Sequence, residues 1–287
     1  MIKTGLRRIS GRVYWLPPGP PDRPSLCAVV GERGTFMLDA GASAAHARLF
    51  LDGLAAEGVA PPSYVALTHS HWDHVFGATA VGAHVVAQAL TAEVLTELAA
   101  TDWSDEALDR RVAAGVVSPG HAANVKEELP SPREVRVAPA DIVFRDGLDI
   151  ELGGVTVRVR HVGGDHAADS CVMYVEPDQV LFLGDCLYDS PDGRLTPELV
   201  FPLHDAVRRF GAELYVDGHG DAVIPRAELE ALAIKVRHAA STVRGIAAQG
   251  TLPEEETALA KVREQTGEDP DEDMVLFVRA FIAGRNA

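Results

Sequence analysis

The sequence is short of several things, and each shortage removes a class of function. Only three cysteines occur in 287 residues, Cys27, Cys171 and Cys186. An odd number, each in or beside an apolar stretch, gives no disulfide framework and reads as buried free thiols in a reducing compartment. Positive charge is scarce as well: 26 Lys and Arg against 42 Asp and Glu leave a formal net charge of −16. That argues against nucleic acid and against an anionic membrane surface as partners, because both need basic side chains to neutralise phosphate. No run approaches the roughly eighteen apolar residues of a membrane span. The start, Met1 to Arg8, lacks the apolar core of a signal peptide, so the expectation is a cytoplasmic protein. A Gly-x-Ser-x-Gly elbow and a Gly-x-x-x-x-Gly-Lys loop are both missing, which sets aside serine hydrolases and nucleotide-driven enzymes. Repeats and long linkers are missing too. With 47% hydrophobic residues and mean hydropathy near zero, the chain can bury a large core, and the expectation is a single α/β domain over 1–287.

What the sequence does have is concentrated in Thr68-His69-Ser70-His71-Trp72-Asp73-His74, which follows the apolar run Tyr64-Val65-Ala66-Leu67. A strand delivering imidazoles and a carboxylate into one turn supplies the nitrogen and oxygen donors that zinc and its neighbours accept. If the segment were extended, alternation would bring His69, His71 and Asp73 to one side and send His74 to another. One turn could then serve two ions.

In chain order, 13–16, 27–30 and 35–38 read as an antiparallel meander around the rigid Pro17 to Pro21 loop. Asp39 follows at the strand end, placed either to enter a site and orient a ligand histidine or to cap the helix expected over 43–56. A helix opening near Asp73 would hold that carboxylate ionised. Residues 84–87 read as a strand. A helical insertion at about 89–130 follows, with helices over 91–100 and 104–116. Strands at 142–144, 149–152, 155–162, 171–175 and 180–183 imply a second sheet. Helices at 197–210 and 226–248 flank a strand at 213–216, and helices at 254–265 and 272–283 close a C-terminal set at about 225–287.

Further donors fall where strands end: His166 in Gly163-Gly164-Asp165-His166, Asp185 after Val180 to Gly184, and His219 in Gly218-His219-Gly220. With these residues in view, the chain resembles the metallo-β-lactamase superfamily, over roughly 13–220. The resemblance implies an αβ/βα four-layer sandwich of two mixed sheets with outer helices and a dinuclear site at one edge. It assigns His69, His71 and His166 to a first metal and Asp73, His74 and His219 to a second, with Asp185 bridging and Asp39 behind a ligand imidazole. Aspartate rather than cysteine at 185 is closer to the glyoxalase II and lactonase branches, and His71 excludes the diiron flavoprotein branch. Departures are the inserted Asp165 with Ala167 after the histidine, which makes His161 a competitor of His166, and Phe76 where a glycine is usual, which would narrow the pocket.

The expected chemistry is hydrolysis. Two zinc ions per chain, with iron or manganese as substitutes, would hold a hydroxide that attacks an ester, lactone, thioester or amide carbonyl of a small molecule. Asp73 would orient it and take its proton, and Tyr188, three residues past Asp185 as in lactonases, would donate to the developing oxyanion. Alternatives are a mononuclear iron sulfur dioxygenase and a phosphodiesterase. The proline-rich loop at 17–24, the insertion at 101–130 and Phe76 are expected to wall the pocket. A second copy of the chain stays open as a partner.

Overall fold

The computed structural model describes residues 5–250 and 253–285; residues 1–4, 251–252 and 286–287, which the domain expectation includes, lie outside them. Two sheets lie face to face. The first runs β1 (Arg7–Arg8), β2 (Val13–Leu16), β3 (Leu26–Gly31), β4 (Gly34–Leu38), β5 (Pro62–Ala66), β6 (His84–Gln88) and β7 (Ile142–Phe144) in that spatial order. It is antiparallel from β1 to β4 and parallel from β4 to β7. The second contains β8 (Gly147–Glu151), β9 (Thr156–His161), β10 (Cys171–Glu176), β11 (Val180–Gly184), β12 (Leu214–Asp217) and β13 (Ile224–Pro225), in the order β13-β12-β11-β10-β9-β8. Here only β11 and β12 are parallel. The expected sandwich of two mixed sheets with outer helices is the fold observed.

Its layers follow from the sequence pattern. In β9, Val157 and Val159 point inward while Arg158 faces solvent, the period of two that a half-buried strand requires. Val13, Trp15, Cys27, Phe36 and Leu38 of the first sheet meet Val157, Met173, Val175 and Phe182 of the second in a dry inter-sheet core. Because β4 and β11 are buried on both faces, they read as near-continuous apolar runs. Outside the first sheet pack α1 (Ala44–Ala56), α2 (Trp72–Val75), α3 (Ala78–Val81), α4 (Ala89–Ala100), α5 (Asp105–Ala113) and α6 (Pro119–Glu128). Outside the second lie α7 (Pro197–Arg209) and α8 (Arg226–Ala247), joined by α9 (Glu255–Thr266) and α10 (Glu272–Arg285).

Two local expectations change. The second insertion helix stops at Ala113, because Gly115 takes φ +67, and α6 is a separate helix. Ser118 caps it and Pro119 occupies its first turn. The helix opening near Asp73 is a single turn. Gly77, packed so closely that a Cβ there would lie 2.0 Å from the Ala40 carbonyl oxygen, separates it from α3.

Candidate metal centre

Strand ends of both sheets meet along one edge. Cys171 donates its amide to the Thr68 carbonyl at 2.7 Å and Ser25 donates to Gly218, which stitches the metal turn of the first sheet to the second. Two glycines permit the approach. Gly184, at φ +52, lies against Thr68, and a Cβ on Gly218 would collide with Asp185 Oδ1 at 1.8 Å.

Seven donors gather at this edge in two groups: His69, His71 and His166, and Asp73, His74, Asp185 and His219, the atoms of each group within 4.8 Å of one another. The alternation argument is therefore corrected. The chain is extended only through His71, and α2 starts at Trp72, so its helical turn carries Asp73 and His74 together to the second group. His161 stays outside both groups, on β9, with Nε2 held by the Ala168 carbonyl; the glycines at 163 and 164 turn the chain so that His166 enters.

The donors crowd one another, and only some of them are satisfied. His166 Nε2 lies 3.0 Å from His71 Nδ1. Asp185 Oδ2 is 3.3 Å from His74 Nε2, 3.3 Å from His219 Nε2 and 3.4 Å from His166 Nε2, a position between the two groups. Asp73 Oδ2 is 3.2 Å from both His74 Nε2 and His219 Nε2. Yet among the described residues His69 Nε2, His74 Nε2 and Asp185 Oδ1 are buried without a hydrogen-bond partner. Ligands about 2.0–2.2 Å from a tetrahedral cation sit about 3.3–3.6 Å from each other, close to the spacings seen here. The donor set fits metal ions.

The opposite ring nitrogens are anchored. His74 Nδ1 lies 2.7 Å from Asp39 Oδ2, and Asp39 also accepts from the Thr68 amide at 2.6 Å and its hydroxyl at 2.7 Å. Asp39 thus fixes the orientation of the His74 imidazole. The helix cap is Ser43, which accepts from the His46 amide. Asp39 sits at φ +60, the left-handed region that aspartate tolerates better than most side chains. His166 Nδ1 donates to the Asp189 carbonyl at 3.0 Å, which leaves Nε2 for the site.

Charge differs between the groups. Burial, then the other imidazoles, pushes His69 well down and lowers His71 to about 4. In the second group burial opposes charge on His74, but Asp185, Asp73 and Asp39 outweigh it and drive it up. His219 rises to about 10 because hydrogen bonds to Asp185 and Asp73 overcome its burial. Burial would raise Asp73 and Asp185, and His74 pulls both well below the usual carboxylate range. A buried volume with three carboxylates calls for cations, which either protons on His74 and His219 or divalent ions with both rings neutral would supply.

Around the rim, Tyr188 sets its ring 6.1 Å from His166 and 6.2 Å from His219. Burial, with Asp217 and Asp185 nearby, raises its phenol far above the ordinary range, and its hydroxyl is engaged by Asp217 and the His219 backbone. In the proline-rich loop Asp22 Oδ1 lies 3.8 Å from His219 Nδ1, and Arg23 pairs with Glu128 of α6 at 2.9 Å. The loop and the insertion therefore meet beside the second group. Phe76 does not narrow the pocket: it is buried, its ring edge-on to Trp103 at 4.9 Å. Sequence reasoning missed Asp22 and the α6 side chains His121 and Asn124, which lie on that rim.

Solved structures share this architecture at low identity. A metallo-beta-lactamase from Pontibacter korlensis matches with TM-score 0.55 and 19% identity over 78% of this chain and 94% of its own. The BLEG-1 B3 metallo-beta-lactamase matches at 0.53 and 19%, over 75% and 95%. The stereoselective inverting sec-alkylsulfatase Pisa1 from Pseudomonas sp. matches at 0.65 and 16% over 98% of this chain, which spans 50% of the sulfatase. No curated protein matches the sequence. The model of the metallo-beta-lactamase superfamily matches residues 20–236, most of the chain and all seven donors, and on that match, with the sandwich and the paired donor groups at its edge, the chain belongs to the metallo-beta-lactamase superfamily.

Proposed function

We propose that this chain is a dinuclear metal-dependent hydrolase of a small-molecule ester, lactone, thioester or amide, with zinc as the preferred metal and iron or manganese able to replace it. The superfamily is generally hydrolytic. The observation that carries the reading is Asp185 Oδ2, placed 3.3–3.4 Å from imidazoles of both groups, His166 on one side and His74 and His219 on the other. A carboxylate there can serve two ions at once, which favours two metals over the single iron of a dioxygenase. The net charge of −16 disfavours a polyanionic phosphodiester.

When bound, two cations acidify a water and polarise the carbonyl or other electrophile it attacks. Asp73, ionised and 3.2 Å from two imidazole nitrogens, is placed to accept the proton released as that water attacks. Asp39 fixes the His74 ring and its tautomer, leaving Nε2 as the donor. Tyr188, against both His166 and His219, faces the substrate; its hydroxyl would turn from Asp217 to the oxygen on which charge develops.

The test is metal analysis of protein purified without chelator, followed by a panel of lactones, thioesters, β-lactams, phosphodiesters and a secondary alkyl sulfate. Two equivalents of metal and turnover of a carbonyl substrate are expected. Full activity with one equivalent, or a single iron with thiol-dependent oxygen uptake, sinks the proposal.

A further inference from the structure

On the outer face of the second sheet two apolar clusters meet without closing. One sets Leu203, Val207 and Leu229 against the sheet, and the other packs Val236, Ala240 and Phe281 among the C-terminal helices. Between them is a cavity of about 490 Å³ with its mouth included, so narrow that the centre of a water-sized sphere has only about 40 Å³ to move in. Helix α7 lines it with His204 and Arg208, α8 with Leu229, Ala233 and Val236, and α10 with Phe277. On α8 these are positions i, i+4 and i+7, one face of the helix, and the middle one is an alanine. Its short side chain leaves the space that a leucine there would fill.

Two features distinguish this slot from a packing fault. His204 is 7% exposed, and its Nδ1 has no hydrogen-bond partner among the described residues. Burial, then Arg237 and Arg208, lowers it to about 4 against the pull of Asp205, so the ring is neutral at pH 7 and brings one donor and one acceptor to a largely apolar wall. One turn further along α7, the exposed Arg208 lines both the slot and the open groove beside it. Around that groove Arg226 pairs with Glu213, and Asp205 with Arg237. Among the described residues that line it, Arg208 and Arg209 then face one acid without an ion pair, Glu230. The excess is a single positive charge at the mouth of an apolar slot.

We propose that this slot binds a small amphipathic monoanion, a medium-chain carboxylate, with its carboxylate on Arg208 at the mouth and its chain along Leu229, Ala233, Val236 and Phe277. An apolar wall with a few polar groups is the usual make-up of a ligand site, and a guanidinium fork matches a carboxylate. His204, on the same face of α7 one turn earlier, can donate to the second carboxylate oxygen. A phosphate dianion would exceed the one charge available. Leu187 also lines the slot, two residues past Asp185 and next to Tyr188, so the occupant touches the loop of the metal edge without entering the site. The slot does not rest on the hydrolase reading.

The experiment measures calorimetric binding of hexanoate, octanoate and octan-1-ol to the zinc-loaded protein, for wild type, Arg208→Gln and Ala233→Leu. Wild type should bind octanoate about tenfold tighter than hexanoate, the effect of two more methylenes leaving water. Arg208→Gln, at an exposed position, should weaken octanoate about tenfold or more and leave octan-1-ol unchanged, on the order expected for a charge-assisted hydrogen bond. Ala233→Leu should abolish binding of both, with metal content unchanged. If Ala233→Leu does not fold, the Arg208→Gln comparison decides alone. Octanoate that fails to bind wild type, or binds no tighter than hexanoate, overturns the slot. Octanoate that binds wild type and Arg208→Gln equally sits on the metal ions or elsewhere, and overturns it too.

Discussion

The two donor groups sit side by side and are built in opposite ways. His69, His71 and His166 form a set of imidazoles with no carboxylate of their own, two of them half-buried. Asp73, His74, Asp185 and His219 mix two carboxylates with two imidazoles, and Asp39 adds a third acid behind them. In the first group burial holds His69 and His71 below the ordinary imidazole range, so those two are ready to bind a cation as they stand. The second already attracts positive charge, so a metal entering it must displace protons. A short sequence motif thus feeds two sites of different electrostatic character, and the difference comes from what the second sheet brings up beside each.

The variant with the largest expected effect removes the residue the groups share. Asp185→Ala should lose metal from both and lower turnover by more than the roughly 100-fold that outer-shell changes cost, with metal content and kcat measured on the same preparation. A variant that keeps two equivalents would break the bridging role. Next comes Asp39→Asn, expected to cost about 10–100-fold in metal affinity, and at the second group alone. Loss of metal in two equal steps would show that the groups do not differ as described.

Tyr188→Phe touches both sides at once, because the ring lies against His166 and His219. Turnover should fall about tenfold or more, with metal content and melting temperature unchanged. Lost stability with turnover per folded molecule intact would place Tyr188 in the packing instead.

The smallest effect is the sharpest test of the contrast. His71, lowered to about 4, is neutral at pH 7, whereas His219, raised to about 10, carries a proton in the metal-free protein. Loading at pH 7 should therefore release protons mainly with the metal entering the second group, seen as a buffer-dependent heat in calorimetry. The same shifts act on the fold without metal. His219 binds its proton more tightly folded than unfolded, so its contribution to stability is fully present below about 6.5 and is lost as pH rises towards 10. His71 has the reverse sign: its contribution is present above about 6.5 and is lost as pH falls towards 4. Metal-free melting temperatures that are flat from pH 4 to 10 would contradict both assignments.

Much of the fold was legible in the residues. Apolar runs such as Val180 to Leu183 and Phe36 to Leu38 can be satisfied only in strands covered on both faces, and Ser43 and Ser104 mark helix starts by their capping chemistry. Helix α6 was not read, because its alanine-rich, weakly amphipathic stretch carries little periodic signal. The pair Ser118-Pro119 was the cue available.

The donors themselves could be named because six of the seven end strands or fill one short turn, where local order is enough. Their grouping could not. Alternation along an extended chain misassigned Asp73, since the backbone coils into α2 from Trp72 and a period of two no longer applies there. The choice of His166 over His161 depended on how the turn after β9 folds over β10 and β11. Asp22 and His121 carried no signal at all, as each matters only through neighbours more than 40 residues away in the chain. By itself the sequence determined the strands, the helices and the inventory of metal-type side chains, because propensity, periodicity and residue chemistry are local. Which nitrogen faces which carboxylate, and which base is left without a partner, was decided only by tertiary packing, because charge and hydrogen bonding act through space between elements that the chain order keeps apart.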